Sequence, residues 1–131
     1  MNNQMDYWLD LCEYDLDTAK AMLETKRFLY VGFMCHQVIE KALKAVCAQN
    51  TDAVPPKIHN LSRLAQKSNL FSIMNQQQQQ LLGRLMPLNI EGRYPSDKAE
   101  LLKELTQEEC QKLIKDTEEL VQWILHQLKT Q

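Results

Sequence analysis

The chain has only three glycines and four prolines in 131 residues, so turn-forming punctuation is sparse, and no stretch alternates apolar and polar residues. A sandwich or barrel of short strands needs a turn signal every 8–12 residues or so and is excluded. There is no glycine-rich phosphate loop, no His-Glu-x-x-His and no Gly-x-Ser-x-Gly, which disfavours the standard hydrolases and kinases. The four cysteines, Cys12, Cys35, Cys47 and Cys110, contain no Cys-x-x-Cys pair and sit near no histidine at zinc spacing. They are expected to be buried thiols, with no metal and no cofactor. A basic excess is missing too: the formal net charge is −2, so the broad positive field that drives DNA binding is absent, and any nucleic-acid contact must come from a local patch. No apolar run approaches the length of a membrane span, and the first ten residues carry Asp6 and Asp10 where a secretory signal needs bases and a hydrophobic core. A cytoplasmic location with no membrane partner is the expectation.

What is present is helical periodicity. Hydrophobic residues make up 44% and charged residues 24%, the balance of a folded globular protein, and the length suits one domain over 1–131. From about Gln4 to Thr25, Met5, Trp8, Leu9, Cys12, Leu16, Ala19 and Leu23 recur at helical intervals, with Asp6, Asp10, Glu13 and Asp17 on a solvated acidic side. From Phe28 to Gln49 the stripe Val31, Cys35, Val38, Ile39, Ala42 and Val46 predicts the most buried helix, interrupted only by Gly32. Pro55 and Pro56 force an extended connection. A short helix is expected from about Asn60 to Ser68 or Asn69, and a fourth from Ser72 to Ile90 with Ile73, Leu81, Leu82, Leu85 and Leu88 inward. In that fourth helix Gly83 is expected to permit close approach, Pro87 to kink or end it, and Gln76 to Gln80 to form a solvated face. Glu91 to Pro95 reads as a loop, Ser96 to Leu105 as an added turn, and Thr106-Gln107-Glu108-Glu109 as the capping box of a last long helix. The fold class is therefore all-α, an antiparallel up-and-down bundle of about five helices.

Polar residues concentrate in three places. On the second helix His36, Gln37, Glu40, Lys41 and Lys44 fall at spacings of three and four, which puts them on adjoining faces. Such groups suit phosphate or base contacts; the plain alternative is a Glu–Lys ladder on a solvated helix with His36 as a partly buried side chain. Lys57 and His59 precede a helix start, where unpaired backbone N–H groups favour anions, although His59 or Asn60 could equally be a cap. Arg93 and Tyr94 lie between Gly92 and Pro95; arginine grips phosphate bidentately and tyrosine stacks on bases, while an ion pair with the first helix is the structural alternative.

The run Phe33 to Ala45, with Trp8 and Asp15 to Ala19 before it and Lys57-Ile58-His59-Asn60-Leu61, Arg93-Tyr94-Pro95 and Leu120 to Trp123 after it, resembles the HEPN family (higher eukaryotes and prokaryotes nucleotide-binding domain) over about Met5 to Leu128. The resemblance implies an antiparallel bundle, commonly a homodimer with its working residues in a shared cleft. It also implies the company of a small nucleotidyltransferase-like protein in a toxin–antitoxin pair, and nucleotide or RNA as ligand. Ribonuclease members carry an arginine followed within one or two turns by a histidine on the same helix; none of Arg27, Arg63, Arg84 and Arg93 is so followed, so that mechanism has no residues here. No catalytic set is assigned, and the ligand-binding expectation rests on His36, Gln37, Glu40, Lys44, Lys57, His59, Arg93 and Tyr94. The competing expectations are a metal-independent ribonuclease using His36 or His59 with Arg93, and a helical adaptor with no nucleotide at all.

Overall fold

A computed structural model describes residues 3–49, 54–90 and 95–130. Among them are six α-helices and no strand: α1 (Asn3–Glu24), α2 (Phe28–Ala48), α3 (Leu61–Lys67), α4 (Gln76–Leu85), α5 (Pro95–Glu104) and α6 (Gln107–Thr130). The 3₁₀ turns Phe71–Ile73 and Met86–Leu88 flank α4.

The trunk is α1, α2 and α6, and α2 lies at its centre: 13 of its 21 residues are buried, so helices cover it on several sides. Its Ile39 and Leu43 pack into one apolar cluster with Leu61 and Leu64 of α3, Leu82 and Leu85 of α4, and Leu120 and Ile124 of α6. Each such side chain contributes about 1.5–3 kcal/mol on leaving water, which is what holds short helices such as α3 in place when their own propensity would not.

Local chemistry sets the boundaries. Past α1 the Arg27 N–H reaches the Met22 carbonyl and the Lys26 N–H the Leu23 carbonyl, with Lys26 left-handed at φ 60. This two-bond closure turns the chain sharply enough to lay α2 antiparallel on α1. The same closure ends α3, where Leu70 bonds to Ala65, Asn69 bonds to Gln66, and Asn69 takes φ 63. At the start of α3 it is the Asn60 side chain, not His59, that caps, accepting from the Arg63 N–H at 3.0 Å. On α6, Thr106 accepts from the Glu109 N–H as expected, but the Glu109 carboxylate goes to Arg84 of α4 at 2.9 Å, so only half of the box closes.

Four sequence expectations need correction. The stretch from Ser72 to Ile90 is not one helix: Asn75 makes a reciprocal capping box with Gln78 and starts α4 afresh, which leaves Ile73 outside on a 3₁₀ turn, 57% exposed and not inward. The glutamine tract is only partly a solvated face, because Gln78 builds that box and Gln79 donates to the Phe71 and Met74 carbonyls. Pro95 is not loop but the first residue of α5, where its missing N–H costs nothing, and α5 is a full ten-residue helix instead of an added turn. Finally, the close approach occurs at Gly32 and not Gly83. A methyl group at Gly32 would sit 3.2 Å from Leu88 Cδ1 and 3.3 Å from Leu105 Cδ1, whereas one at Gly83 would meet nothing within 4 Å.

Gly83 therefore has the entropic cost of glycine in a helix with no packing gain. Gly83→Ala is expected to raise stability by about 0.5–1 kcal/mol, measured as a higher urea midpoint at unchanged slope. A lower midpoint would mean that something does approach this face.

Candidate functional site

The polar stripe of α2 does not face solvent. His36 is 1% exposed, Glu40 2% and Lys44 6%, because α1 lies along one side of the stripe and the segment 54–60 crosses the other. Pro55 is buried there, and the two prolines keep the segment extended.

Glu40 is the hub. Its Oε2 accepts from Lys44 Nζ at 3.0 Å, and both carboxylate oxygens lie 3.2 Å from His59 Nδ1. His36 Nδ1 stands 3.8 Å from Oε1, too far for a hydrogen bond. Burial pulls the His36 imidazole down to about 4, against the nearby Glu40 carboxylate and a backbone hydrogen bond with His59, both of which favour the charged form. The ring is therefore neutral at pH 7. The His59 side chain ties the 54–60 segment to Glu40 of α2, while His36 Nδ1 is buried beneath it with no hydrogen-bond partner.

A second pair continues the stripe one face over. Lys41 Nζ donates to Asp15 Oδ2 at 3.1 Å and to Gln37 Oε1 at 2.7 Å, joining α2 to α1. Lys44 also stands 5.2 Å from the centre of the Trp8 ring, whose negative face favours a cation. Two carboxylates thus meet two ammonium groups, and the buried charge cancels within the network.

Of the eight sequence candidates, His36, Glu40, Lys44 and His59 come together, and Gln37 lies beside them through Lys41. Lys57 is exposed on the same segment as His59, whose side chain is 58% exposed on its outer edge. Arg93 and Tyr94 fall outside the described residues. The solvated-ladder alternative for α2 is overturned by the burial of its own members. His36, enclosed on every side, touches no external phosphodiester in this conformation, which removes one of the two histidines from the ribonuclease alternative. Two participants were missed as site residues, Trp8 and Asp15. A signal for Asp15 existed: Trp8, Cys12, Asp15 and Ala19 share one helical face, so a carboxylate stands in phase with the residues that bury.

The rest of the polar inventory is inert by comparison. Burial pushes the Cys12 and Cys35 thiols up to about 12 and Cys110 up to about 11, keeping them protonated at neutral pH. Among the described residues no three of His, Cys, Asp and Glu are grouped to hold a metal ion, and no helix is long and apolar enough to cross a membrane.

The six-helix bundle, with its buried α2 stripe, is matched by the family model described as HEPN domain, over residues 5–128. The chain belongs to the HEPN family. No curated protein and no solved structure matches it. In this HEPN domain the run Phe33 to Ala45 lies at the centre of the fold, and five of its residues (His36, Gln37, Glu40, Lys41 and Lys44) belong to the polar network.

Proposed function

We propose that this HEPN domain is a non-enzymatic module that binds nucleotide or RNA through phosphate. We further propose that it works as a homodimer beside a nucleotidyltransferase-like protein, in the manner of a toxin–antitoxin pair. The observation that carries the reading is the family match over residues 5–128. The geometry supports a division of labour within the ligand-binding set. Glu40 holds the 54–60 segment against α2 through His59, and since Glu40 already neutralises Lys44, that ammonium is a poor phosphate ligand. The groups left to meet a ligand are the exposed Lys57, the outer edge of His59, and Arg93 and Tyr94. Lys57 and Arg93 take phosphate, and Tyr94 stacks on a base.

Calorimetric titration of the purified protein with ATP, GTP and a short RNA, with its mass in solution recorded by light scattering, tests this. Saturable binding by a dimer is expected, weakened about tenfold by either Lys57→Ala or Arg93→Ala with the far-UV spectrum unchanged. Undiminished affinity in both variants, or no binding by the folded protein, sinks the nucleotide reading and leaves the protein-adaptor one. RNA turnover abolished by His59→Ala would instead make the domain an enzyme.

A further inference from the structure

Where α1, the end of α2 and α6 meet, they leave a groove of about 520 Å³. Four half-buried apolar side chains, Met5, Leu9, Leu125 and Leu128, line it, and the exposed Gln122 and His126 stand at its α6 edge. Its α1 edge is acidic. Asp6 and Glu13 stand three residues before and four after Leu9, which puts them on the side of α1 next to that lining residue, and Asp10 and Asp17 extend the row outward. Tyr7 and Tyr14, 56% and 71% exposed, lie one heptad apart on the same outward face. None of these four carboxylates pairs with a cation among the described residues.

Charge decides what can sit here. A nucleic acid or an anionic membrane surface is repelled by the row. A second copy in a two-fold contact would bring two acidic rows into one interface, because such an interface is the same patch on both sides. A partner with leucine-like residues at helical spacing and bases on either side of them fits on every count: the apolar residues fill the groove, and the bases meet Asp6, Glu13 and Asp10. We infer that this groove is the docking site for a basic amphipathic helix of a protein partner. The inference goes beyond the nucleotide reading and does not depend on it, since it concerns the opposite sign of charge and residues that reading does not use.

The test uses a fluorescent synthetic peptide about five turns long, with leucine at i, i+3, i+4 and i+7 and lysine elsewhere, titrated against the full chain without nucleotide. Saturable binding is expected, weakening as salt rises. A peptide with glutamate for lysine and the same leucines is expected not to bind. The double variant Asp6→Lys with Glu13→Lys is expected to weaken binding about tenfold or more, while the same charge change at the exposed Glu104 and Glu108 leaves it intact. Leu128→Gln, which keeps the net charge, should also weaken binding, and it serves if the double variant does not fold. Three results overturn the inference: no saturable binding by the folded wild-type chain; equal losses from both charge reversals, which would mean net charge alone; or a change of solution mass confined to the Asp6→Lys and Glu13→Lys variant, which would make the face a contact between copies.

Discussion

Glu40→Ala is expected to lower the stability of the domain by about 3–5 kcal/mol, a large share of what a chain of this size has. The cause is not the loss of an attractive pair as such. Lys44 is 6% exposed, and without Glu40 its ammonium stays buried with only the Trp8 ring beside it. It must then lose its proton or drag its stem out to water, and either response disturbs the α1–α2 seam. His59 loses its anchor at the same time, which leaves the 54–60 segment to the packing of buried Pro55 and half-buried Ile58. The double variant Glu40→Leu with Lys44→Met removes both charges and keeps apolar volume, and its cost should be well below the sum of the two single changes. Urea unfolding followed by far-UV circular dichroism at neutral pH measures all of these. A cost under about 1 kcal/mol for Glu40→Ala would mean that the network is solvated like an ordinary surface pair.

That outcome bears on how the polar residues of α2 are understood. Charged groups at helical spacing on α2 look, on spacing alone, like either a solvated ladder or a ligand-facing row, because periodicity tells which residues share a face and not what covers it. The cover comes from parts of the chain far away in sequence: Trp8 and Asp15 from α1, and a proline-stiffened segment that carries His59 across the face. The trunk helices, by contrast, were legible almost to the residue, since Val31, Cys35, Val38, Ile39, Ala42 and Val46 recur without a break and all bury. The capping chemistry was legible at Thr106, whereas at the start of α3 the sequence left His59 and Asn60 as alternatives and only the structure names Asn60. Capping was missed where a short polar residue restarts a helix inside an apolar pattern: Ile73 continues the period of α4, yet Asn75 and Gln78 bind each other and begin the helix after it. The roles of the two helical glycines were also indistinguishable in sequence. Only the third dimension shows Leu88 and Leu105 lying over Gly32 and open space over Gly83.

The same enclosure predicts how the domain responds to acid. In the folded protein His36 takes a proton only near pH 4, because burial disfavours its charge more than Glu40 and the backbone of His59 favour it; in the unfolded chain it does so near the ordinary value of 6.5. Over the interval between, the unfolded state binds the extra proton and the folded state does not, so the stability that comes from a neutral His36 is fully present above about pH 6.5 and is lost progressively as the pH falls toward 4. A gap of that size amounts to about 3 kcal/mol from one residue by the bottom of the window. The ionisable groups around the ring, Glu40, Lys41 and His59, belong to the same network, so the wild-type profile alone does not isolate it. His36→Gln does, because it keeps a polar side chain of similar length and cannot titrate. Urea midpoints at several pH values between 7.5 and 4.5 should fall more steeply for the wild type than for His36→Gln, with the two curves diverging below about pH 6.5. Parallel curves would show that the imidazole is charged without penalty in the folded state, and hence that α1 and the 54–60 segment do not close over α2 as tightly as the structure places them.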